Sequence, residues 1–488
     1  MMDGSAPGCG GLLVDYGTVP LDEAIDPSGE IRQPYRRVLE ALGDLGSGGL
    51  SGRSEELQTR RRENGVVFTA NVDGRPTEQV FPLDPVPRLI GADSWRHLEA
   101  GAAQRARALN AFLADVYSSV AGPSSASIVA AGVIPEQVIA GVPGHRPQAA
   151  SLVPGGHQRA TVLGLDLLTD SSGEWVVLED NLQVPSGLGY VLANRRTAAA
   201  CFPELHREAQ GLRSPEVIGA LLHRAMADAA PPRCVRSEPQ VVVLSDGPVN
   251  SAWYEHRTLA AEMGVPVVHP EDLRADGDGV VAVVDGRSVP VDVVYRRLGG
   301  DELLGDDRAA VLLRRAAAAG TVSIVNAPGN GIADDKAIYA FVAPMIRHYL
   351  DEEPILRDVG TWVLADPEQY RAVRGRMGDL VVKPVDGSGG DGVMIGPELT
   401  RAQVADLEER VAAAPHRYIA QDVIRFSTHP TFTGVDLRPR HVDLRIFVLS
   451  GAETVVVPAG LTRVAMGADG LLVNSSQGGG SKDTWLSA

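Results

Sequence analysis

Acidic side chains that could bind a metal ion are concentrated in the segment GLDLLTDSSGEWVVLEDNL, whose pattern predicts two strands around a tight turn. If residues 172–173 form a two-residue turn, the strands pair so that Asp166 lies opposite Glu179. Their Cβ atoms would then be about 5 Å apart on one face, shared by Asn181, while the residue between Glu179 and Asn181 points away. Two facing carboxylates repel each other unless a cation lies between them, and three oxygen donors suit Mg²⁺. The segment therefore predicts a magnesium site; a solvated polar face, or a register shifted by one residue, is the alternative.

Lysine is rare in this chain, because only three of its 45 basic residues are lysines. Lys383 ends the apolar run LVVKP, directly before the glycine-rich stretch DGSGGDG, and Lys336 begins a helical pattern in IADDKAIYAF. A compact ammonium group can neutralise a phosphate where a planar guanidinium would fit differently. The two lysines therefore favour a clamp for a triphosphate; exposed surface lysines are the alternative. The glycine-rich stretch supplies four further candidate phosphate-binding residues, Gly387, Ser388, Gly389 and Gly390.

The glycine-rich stretch also satisfies the pattern G-x-G-x-x-G at Gly387, Gly389 and Gly392, which occurs in dinucleotide-binding folds. That motif requires a helix to begin at its last glycine. Here the β-branched segment VMIGPEL follows, so the pattern predicts a strand–loop–strand hairpin instead. Such a hairpin can cover nucleotide phosphates with backbone N–H groups, as in protein kinases, although the sequence lacks the other kinase motifs. A purely structural glycine turn is the alternative.

Bulk composition narrows the partners and the compartment. The net charge of −17 argues against nucleic acid or an anionic membrane surface as the main partner. The sequence has no apolar run of about 18 residues and no secretory signal pattern at its start. Three widely spaced cysteines, Cys9, Cys201 and Cys234, form no C-x-x-C motif and are typical of free thiols in a reducing compartment. We therefore expect a cytoplasmic protein.

The length of 488 residues predicts several packed units. A helix is expected in QPYRRVLEALGDL, followed by the low-complexity tract GDLGSGGLSG, and a longer helix capped by Asp93 or Ser94 begins in DSWRHLEAG. Further along, VVVLSDG, a helical segment and VPVVHP alternate, and this order predicts a small parallel α/β unit. At the end of a later strand of that unit, Tyr295, Arg296 and Arg297 could recognise a substrate carboxylate; an interface or an internal ion pair is equally compatible.

Taken together, these residues resemble the ATP-grasp ligases, and specifically the circularly permuted type 2 ATP-grasp family. In the usual order, the lysine and the glycine loop precede the acidic metal motif. Here LDLLTDSSGEWVVLEDNLQVPSG precedes both, which is the order of the permuted family. The likeness extends over nearly the whole chain, through QRARALNAFLADVY, YIAQDVI, HVDLRIFVL and the tail NSSQGGGSKDTWL.

The resemblance implies an α/β protein with α+β lobes, built on a permuted ATP-grasp fold. Residues 1–120 would form a helical and loop region packed on the metal lobe, and residues 121–236 a lobe with the metal hairpin. Residues 237–325 would be a small Rossmann-like pre-ATP-grasp unit. Residues 326–430 would form the ATP-binding lobe, and residues 431–488 would return to the metal lobe with a catalytic arginine and a glycine-rich tail.

The resemblance also assigns roles to single residues. Residues 418–424 would be the hinge that meets adenine, with Gln421 nearest and with Asp422 and Ile424 also in the ATP-binding set. Arg445 would approach the transferred phosphoryl group. The resemblance further implies that Lys336 and Lys383 hold the phosphates and that Asp166, Glu179 and Asn181 hold Mg²⁺, with two ions in all.

Two positions stay open under this interpretation. Many members of the superfamily carry an arginine two residues before the metal aspartate, where this chain has Gly164, so that the charge would come from Arg159 or Arg445. Lys482, in the sequence GGGSKD, could bind an anion with neighbouring N–H groups, or it could belong to a structural turn.

The function implied by the resemblance is an ATP- and Mg²⁺-dependent carboxylate–amine ligase that acts through an acylphosphate on a small peptide-like or amino-acid substrate. Glutathionylspermidine synthase is a related ligase. A phosphotransferase that stops at a phosphorylated small molecule would use the same residues, and a non-catalytic nucleotide-binding protein is a further alternative. The sequence names neither the carboxylate nor the amine, and it leaves the oligomeric state open.

Overall fold

The structure is a computed structural model that describes residues 11–17, 19–72, 75–118, 123–154, 156–208, 211–385, 392–467, 473 and 479–488. In chain order the strands are β1 (Val67–Val72), β2 (Arg75–Val80), β3 (Leu83–Ile90), β4 (Val162–Thr169), β5 (Trp175–Asn181), β6 (Val241–Leu244), β7 (Val267–Val268), β8 (Leu273–Asp276), β9 (Gly279–Val284), β10 (Arg287–Val291), β11 (Val293–Arg296), β12 (Ser323–Val325), β13 (Arg357–Asp358), β14 (Thr361–Val363), β15 (Leu380–Pro384), β16 (Met394–Ile395), β17 (Tyr418–Asp422), β18 (Thr428–Phe432), β19 (Leu437–Ser450), β20 (Thr454–Val464) and β21 (Gly480–Leu486). The helices are α1 (Arg36–Asp44), α2 (Gly46–Glu63), α3 (Ala92–Val116), α4 (Ser127–Ala130), α5 (Glu136–Gly141), α6 (Leu188–Cys201), α7 (Pro203–Glu208), α8 (Ile218–Asp228), α9 (Trp253–Met263), α10 (Arg308–Ala318), α11 (Lys336–Tyr339), α12 (Val342–Leu350), α13 (Pro367–Val373) and α14 (Arg401–Ala413).

The largest sheet combines strands from distant parts of the chain in the order β13-β5-β4-β19-β20-β21-β3, and β18 pairs with β19. Strands β4 and β5 precede the two candidate phosphate lysines in the sequence, whereas β19 to β21 follow them. The antiparallel pairing of β4 with β19 places Arg445 directly opposite Asp166. The permuted order predicted from the sequence is therefore present as one continuous metal-lobe sheet.

The β4–β5 hairpin has the predicted pairing but a different turn. Asp166 pairs with Glu179, as predicted, but Thr169 pairs with Trp175, so the register shifts by one residue between these two pairs. The loop spans residues 171–173, because the amide of Gly173 donates to the Asp170 carbonyl and that of Asp170 donates to the Glu174 carbonyl. The predicted two-residue turn was therefore wrong, and a β-bulge at residue 178 restores the predicted pair.

A smaller antiparallel sheet, in the order β14-β17-β15-β16, carries Lys383. The hairpin of β15 and β16, predicted around the glycine-rich stretch, is present. The core of this sheet is separate from the others and includes Val382, Leu407 and Val411. Because side chains alternate along a strand, Val382 faces this core while Lys383 faces away from it. The candidate flap residues Gly387, Ser388, Gly389 and Gly390 lie outside the described residues.

The predicted parallel α/β unit consists of β12-β11-β6-β7, in which all neighbouring strands are parallel. Buried valines fill both faces of β6 and β11, as expected for a sheet covered on both sides. In chain order, β8, β9 and β10 come between β7 and β11, and they form a separate antiparallel sheet. Tyr295 and Arg296 end β11, and both side chains are buried.

The N-terminal region contains more regular structure than the sequence suggested. The low-complexity tract lies in the end of α1 and the start of α2, and β3 completes the metal-lobe sheet by pairing in parallel with β21. Helix α3 begins at Ala92 with Gly91 as its N-cap, so the expected caps Asp93 and Ser94 were wrong. The predicted unit boundaries at residues 120, 236, 325 and 430 remain predictions. Within the described ranges, no helix is long and apolar enough to cross a lipid bilayer.

Candidate active site

A cleft between the metal-lobe sheet and the smaller antiparallel sheet brings together most of the predicted site. Its predicted lining residues come from β4, β5, α11, β15, β17 and the segment that follows β17: Asp166, Glu179, Lys336, Lys383, Gln421, Asp422 and Ile424. These residues are up to 258 positions apart in the chain, from Asp166 to Ile424. The carboxylates line the side formed by the metal lobe, and Lys383 lines the opposite side.

Asp166 is held by two arginines. Arg445 donates from Nε to Oδ1 at 2.5 Å and from Nη2 to Oδ2 at 2.7 Å, and Arg463 donates from Nη2 to Oδ2 at 2.8 Å. Burial alone would raise the pKa of Asp166, but the two guanidinium groups lower it to about 2. The carboxylate is therefore ionised at neutral pH. It accepts three of the roughly four hydrogen bonds available to a carboxylate, which leaves one lone pair on Oδ1.

The other two candidate magnesium ligands have few partners. Within the described part of the chain, the Glu179 carboxylate makes no hydrogen bond or ion pair, and Asn181 Nδ2 is buried without a hydrogen-bond partner. Together with the remaining lone pair of Asp166, the Glu179 carboxylate and the amide oxygen Oδ1 of Asn181 would form a hard oxygen donor set that fits Mg²⁺. No cluster of three or more His, Cys, Asp or Glu residues that could hold a metal occurs among the described residues; the candidate set uses an asparagine as its third ligand.

The two lysines face the same space. Lys383 lies on β15 two residues after Val381, so that both side chains face the cleft, and Lys336 is the first residue of α11. Burial lowers the pKa of Lys383 to about 8, and the positive charge of Lys336 acts in the same direction while Glu179 opposes it. Two ammonium groups that line one cleft attract a polyanion.

The inner part of the cleft is apolar and lies against the predicted hinge. Its apolar walls are Leu168, Leu178, Val359, Val381, Val393, Ile395, Phe426 and Val473. Gln421 is buried, and its Nε2 donates to Thr361 Oγ1 at 2.9 Å, so its amide nitrogen already has a protein partner. An apolar slot beside the end of β17 is suited to a flat aromatic base.

A tyrosine hydroxyl group links the helix that begins with Lys336, α11, to strand β5. The hydroxyl of Tyr339 donates to the carbonyl of Val177 on β5 at 2.5 Å and accepts from the amide of Val359 at 2.8 Å. Tyr339 is fully enclosed. This contact sets the position of Lys336 relative to the strand that carries Glu179.

Comparisons with known proteins identify the family of this chain. Residues 87–465 match the protein family described as circularly permuted ATP-grasp type 2. The chain belongs to this family. A putative glutamate–cysteine ligase of Frankia alni is 46% identical over 481 residues, which cover 97% of this chain and 54% of that protein. An uncharacterized protein of Synechocystis is 39% identical over 477 residues, which cover 95% of this chain and 96% of that protein.

Some of the curated relatives are longer than this chain. The chain spans about half the length of the Frankia proteins that carry the name putative glutamate–cysteine ligase, at 54% of each. Among solved structures, a glutathione synthetase-like effector of Globodera pallida in its apo form superposes with a TM-score of 0.58 at 13% identity, covering 90% of this chain and 97% of that one. This likeness confirms the fold class. The ATP-grasp family uses ATP and Mg²⁺.

The position at which other ATP-grasp proteins carry an arginine is filled here from another strand. A Cβ atom on Gly164 would lie 3.7 Å from Cδ of Arg445 and 3.0 Å from Cβ of Pro185. Arg445 therefore occupies the space above Gly164 on the same face of the sheet. Arg159, the other candidate, is buried elsewhere: it donates to the carbonyls of Ala149 and Pro328. Of the two, only Arg445 lies beside Asp166.

Tyr295, Arg296 and Arg297, predicted as substrate-binding residues, are buried and bind protein groups instead. Arg297 donates to Glu255 Oε1 at 2.8 Å, to Ser186 Oγ at 2.7 Å and to the Pro185 carbonyl at 2.9 Å. Arg296 donates to the carbonyls of Asn326 and Leu298, and the Tyr295 hydroxyl accepts from Arg297 at 3.2 Å. The side chains of all three residues bind protein groups, although Arg297 Nε has no partner among the described residues. The internal ion pair, formed by Arg297 with Glu255, is therefore the interpretation that the structure supports.

This ion pair supports the turn that follows the metal strand. Glu255 Oε2 accepts the amide hydrogens of Gly187 at 2.6 Å and Gly189 at 3.2 Å. Gly187 has φ +142°, and a Cβ there would come within 2.7 Å of the Phe447 ring. Glycine is therefore required at position 187, in the sequence PSG after the acidic motif. Any other residue would be strained by the positive φ and would clash with Phe447.

Lys482 is also not in the candidate site. It lies on β21 with a fully buried side chain, forms an ion pair with Asp84, and donates to the Pro430 carbonyl at 2.9 Å. Lys482 therefore lies in neither of the two settings that the sequence left open, an anion site or a structural turn. The physical reason is that the tail continues as a strand of the metal-lobe sheet, so its side chains alternate into the protein interior.

Three residues that line or adjoin the site were missed by sequence reasoning. Asp443 and Arg463 line the cleft and form a cross-strand ion pair. Asp334 accepts the Leu182 amide at 2.5 Å, and burial raises its pKa to about 7, with Glu179 adding to the shift. Alternation along HVDLRIF would have placed Asp443 and Arg445 on one face, but nothing local indicated Arg463 as their neighbour.

Proposed function

We propose that the protein is an ATP- and Mg²⁺-dependent ligase that joins a small carboxylate to an amine through an acylphosphate. The observation that carries the proposal is the convergence of Asp166, Glu179, Lys336 and Lys383 on one cleft in a member of the permuted ATP-grasp family. The names of the Frankia relatives suggest glutamate and cysteine as the first substrates to test.

In the proposed mechanism the chain's own residues bind and orient the reactants. Asp166, Glu179 and Asn181 would hold Mg²⁺, which neutralises phosphate charge when bound. Lys336 and Lys383 would contact phosphate oxygens, because fixed cations that face a transferring phosphoryl group stabilise its transition state. The apolar slot beside residues 421–424 would hold the adenine.

The substrate carboxylate oxygen would attack the γ-phosphorus, and ADP would leave with the bridging oxygen. The amine would then attack the acyl carbon, lose a proton and expel inorganic phosphate. Arg445 would contribute by keeping Asp166 ionised and oriented, and through its position beside the transferring group. Among the described residues that line the candidate active-site cleft, no polar groups are arranged as a nucleophile–base pair. A covalent enzyme intermediate is therefore not part of the proposal.

A phosphate-release screen of carboxylate and amine pairs tests the proposal, beginning with glutamate and cysteine in the presence of ATP and Mg²⁺. A ligase releases one inorganic phosphate for each amide bond formed. With hydroxylamine in place of the amine, an acylphosphate is trapped as a hydroxamate. Phosphate that stays on the substrate would favour the phosphotransferase alternative, and nucleotide binding without turnover across the screen would favour a non-catalytic role.

A further inference from the structure

A second cleft lies at the opposite end of β4 from the candidate active site. Its polar lining comes from the segment before β4, the end of α8, β12 and the β19–β20 turn: His157, Gln158, Thr161, Asp228, Ser323 and Ser450. None of these lines the first cleft. Ser450 is five residues beyond Arg445 along β19, a separation of about 17 Å at the rise of an antiparallel strand. A molecule bound here would not react at the first cleft.

Two buried polar atoms of this cleft have no partner among the described residues. Ser450 is 3% exposed, and its Oγ makes no hydrogen bond. His157 Nδ1 is likewise buried without a partner, although its Nε2 lies 3.3 Å from the Ala230 carbonyl. A buried polar group without a hydrogen-bond partner destabilises the fold. Both atoms would be satisfied by one bound molecule with hydrogen-bond donors.

The residues that line the second cleft indicate which kind of molecule could bind there. A carbonyl can only accept, so Nε2 of His157 carries the hydrogen and Nδ1 of the neutral ring is an acceptor. Asp228 adds a carboxylate at the C-terminal end of the eleven-residue helix α8, where the helix dipole is negative. The carboxylate lies against Gly451 and accepts the Ala452 amide with Oδ2 at 3.0 Å. Among the residues that the structure describes, no lysine or arginine lines the cleft.

We propose that this second cleft binds the ammonium group of a small primary amine. The ammonium would donate to Nδ1 of His157 and Oγ of Ser450 and face the Asp228 carboxylate. A primary ammonium has three N–H donors and one positive charge, and therefore matches three acceptors in a negative field. The proposal is independent of the reaction in the first cleft, because no residue is shared between the two.

The test is a titration of the 488-residue chain with three matched probes. It is monitored by ligand-observed NMR at about pH 8, where an alkyl ammonium group is still protonated. Ethanolamine carries a primary ammonium, ethylene glycol replaces the ammonium with a neutral hydroxyl, and choline keeps the charge but has no N–H. We expect saturable binding of ethanolamine and much weaker binding of the other two. Equal binding of ethylene glycol or choline, or no saturable binding of ethanolamine, would overturn the proposal.

Substitutions test whether ethanolamine binds in the second cleft. Ser450→Ala removes a hydroxyl that has no partner in the described part of the chain, so the fold is expected to tolerate it. Asp228→Asn keeps the acceptor for the Ala452 amide. Each should weaken ethanolamine binding about tenfold, as for one lost charge-assisted hydrogen bond. Glu453→Gln is the control, because this carboxylate is exposed in the same turn but does not line the cleft. Wild-type affinity in both Ser450→Ala and Asp228→Asn would overturn the assignment.

Discussion

Arg105 and Asp180 form a buried bidentate ion pair directly behind the candidate metal site. Nε and Nη2 of Arg105 donate to the two carboxylate oxygens of Asp180 at 2.6 and 2.7 Å, and Nη1 donates to Asp358 at 2.5 Å. The guanidinium also lies 5.4 Å from the centroid of the Tyr339 ring. One side chain from α3 therefore ties together β5, β13 and the helix that begins with Lys336.

The first prediction concerns this ion pair. Arg105→Ala should lower the free energy of unfolding by about 3–5 kcal/mol, because it leaves the buried carboxylate of Asp180 without its partner. Urea denaturation followed by circular dichroism measures the change. Arg107→Ala on the same helix is the control, since its pair with Glu352 is largely exposed, and it should leave stability unchanged. Equal stability of the two variants would show that the pair does not hold the strand.

The second prediction concerns the metal ligands. Glu179→Gln should abolish Mg²⁺-dependent ATP turnover while leaving the melting temperature unchanged, because the carboxylate has no protein partner to lose among the described residues. Phosphate release at saturating Mg²⁺ measures turnover. Glu174→Gln, an exposed position in the turn of the same hairpin, should behave as wild type. Near-native turnover in Glu179→Gln would remove this residue from the metal site.

The third prediction concerns the lysine on β15. Lys383→Ala should weaken ATP binding by about 1.5–3 kcal/mol, as expected for loss of a charge-assisted contact to a phosphate. Isothermal titration calorimetry measures the affinity. Arg410→Ala serves as the control, because this residue lies in the same lobe on α14 and pairs with Asp406 at the surface. An unchanged affinity for ATP in Lys383→Ala would contradict the clamp.

The fourth prediction is a pH dependence of nucleotide binding. Burial lowers the pKa of Lys383 to about 8, so this side chain is protonated below pH 8 and loses its charge as the pH rises through that value. ATP is already fully ionised there, because the second pKa of a phosphate ester is about 6. ATP affinity should therefore fall as the pH rises from about 7 to about 9.

Lys383→Arg separates this effect from other titrations. Arginine keeps its charge throughout this range, so the affinity of the variant should vary less with pH than that of the wild-type protein. Calorimetry at several pH values, with buffers of matched ionic strength, gives both slopes. The same slope in the two proteins would show that Lys383 is not the titrating group.

Much of the site could be predicted because its signals are local. The alternation of side chains placed Asp166 opposite Glu179, and it did so despite a wrong turn, since the bulge at residue 178 offset the extra loop residue. The strand before the glycine-rich stretch and the helix pattern after Asp335 placed Lys383 and Lys336. The inverted order of these segments indicated the permuted family, which the match over residues 87–465 confirms.

The partners of the charged residues could not be predicted in this way. With 42 of the 45 basic residues being arginine, no local pattern distinguishes Arg463, which contacts Asp166, from Arg297, which supports the turn at Gly187. Lys482 was expected in a loop because its glycine-rich neighbours suggested one, but strand pairing with β20 and β3 buries it.

The sequence by itself determined which side chains share a strand face and which family order they follow, because strand and helix periods are set by neighbouring residues. Only the tertiary structure decided which guanidinium meets which carboxylate. Those contacts join residues far apart in the chain; Asp166 and Arg463, for example, are 297 positions apart. Their pairing depends on how whole strands are ordered in the sheet, and the energy of a buried charge depends on the partner that this order supplies.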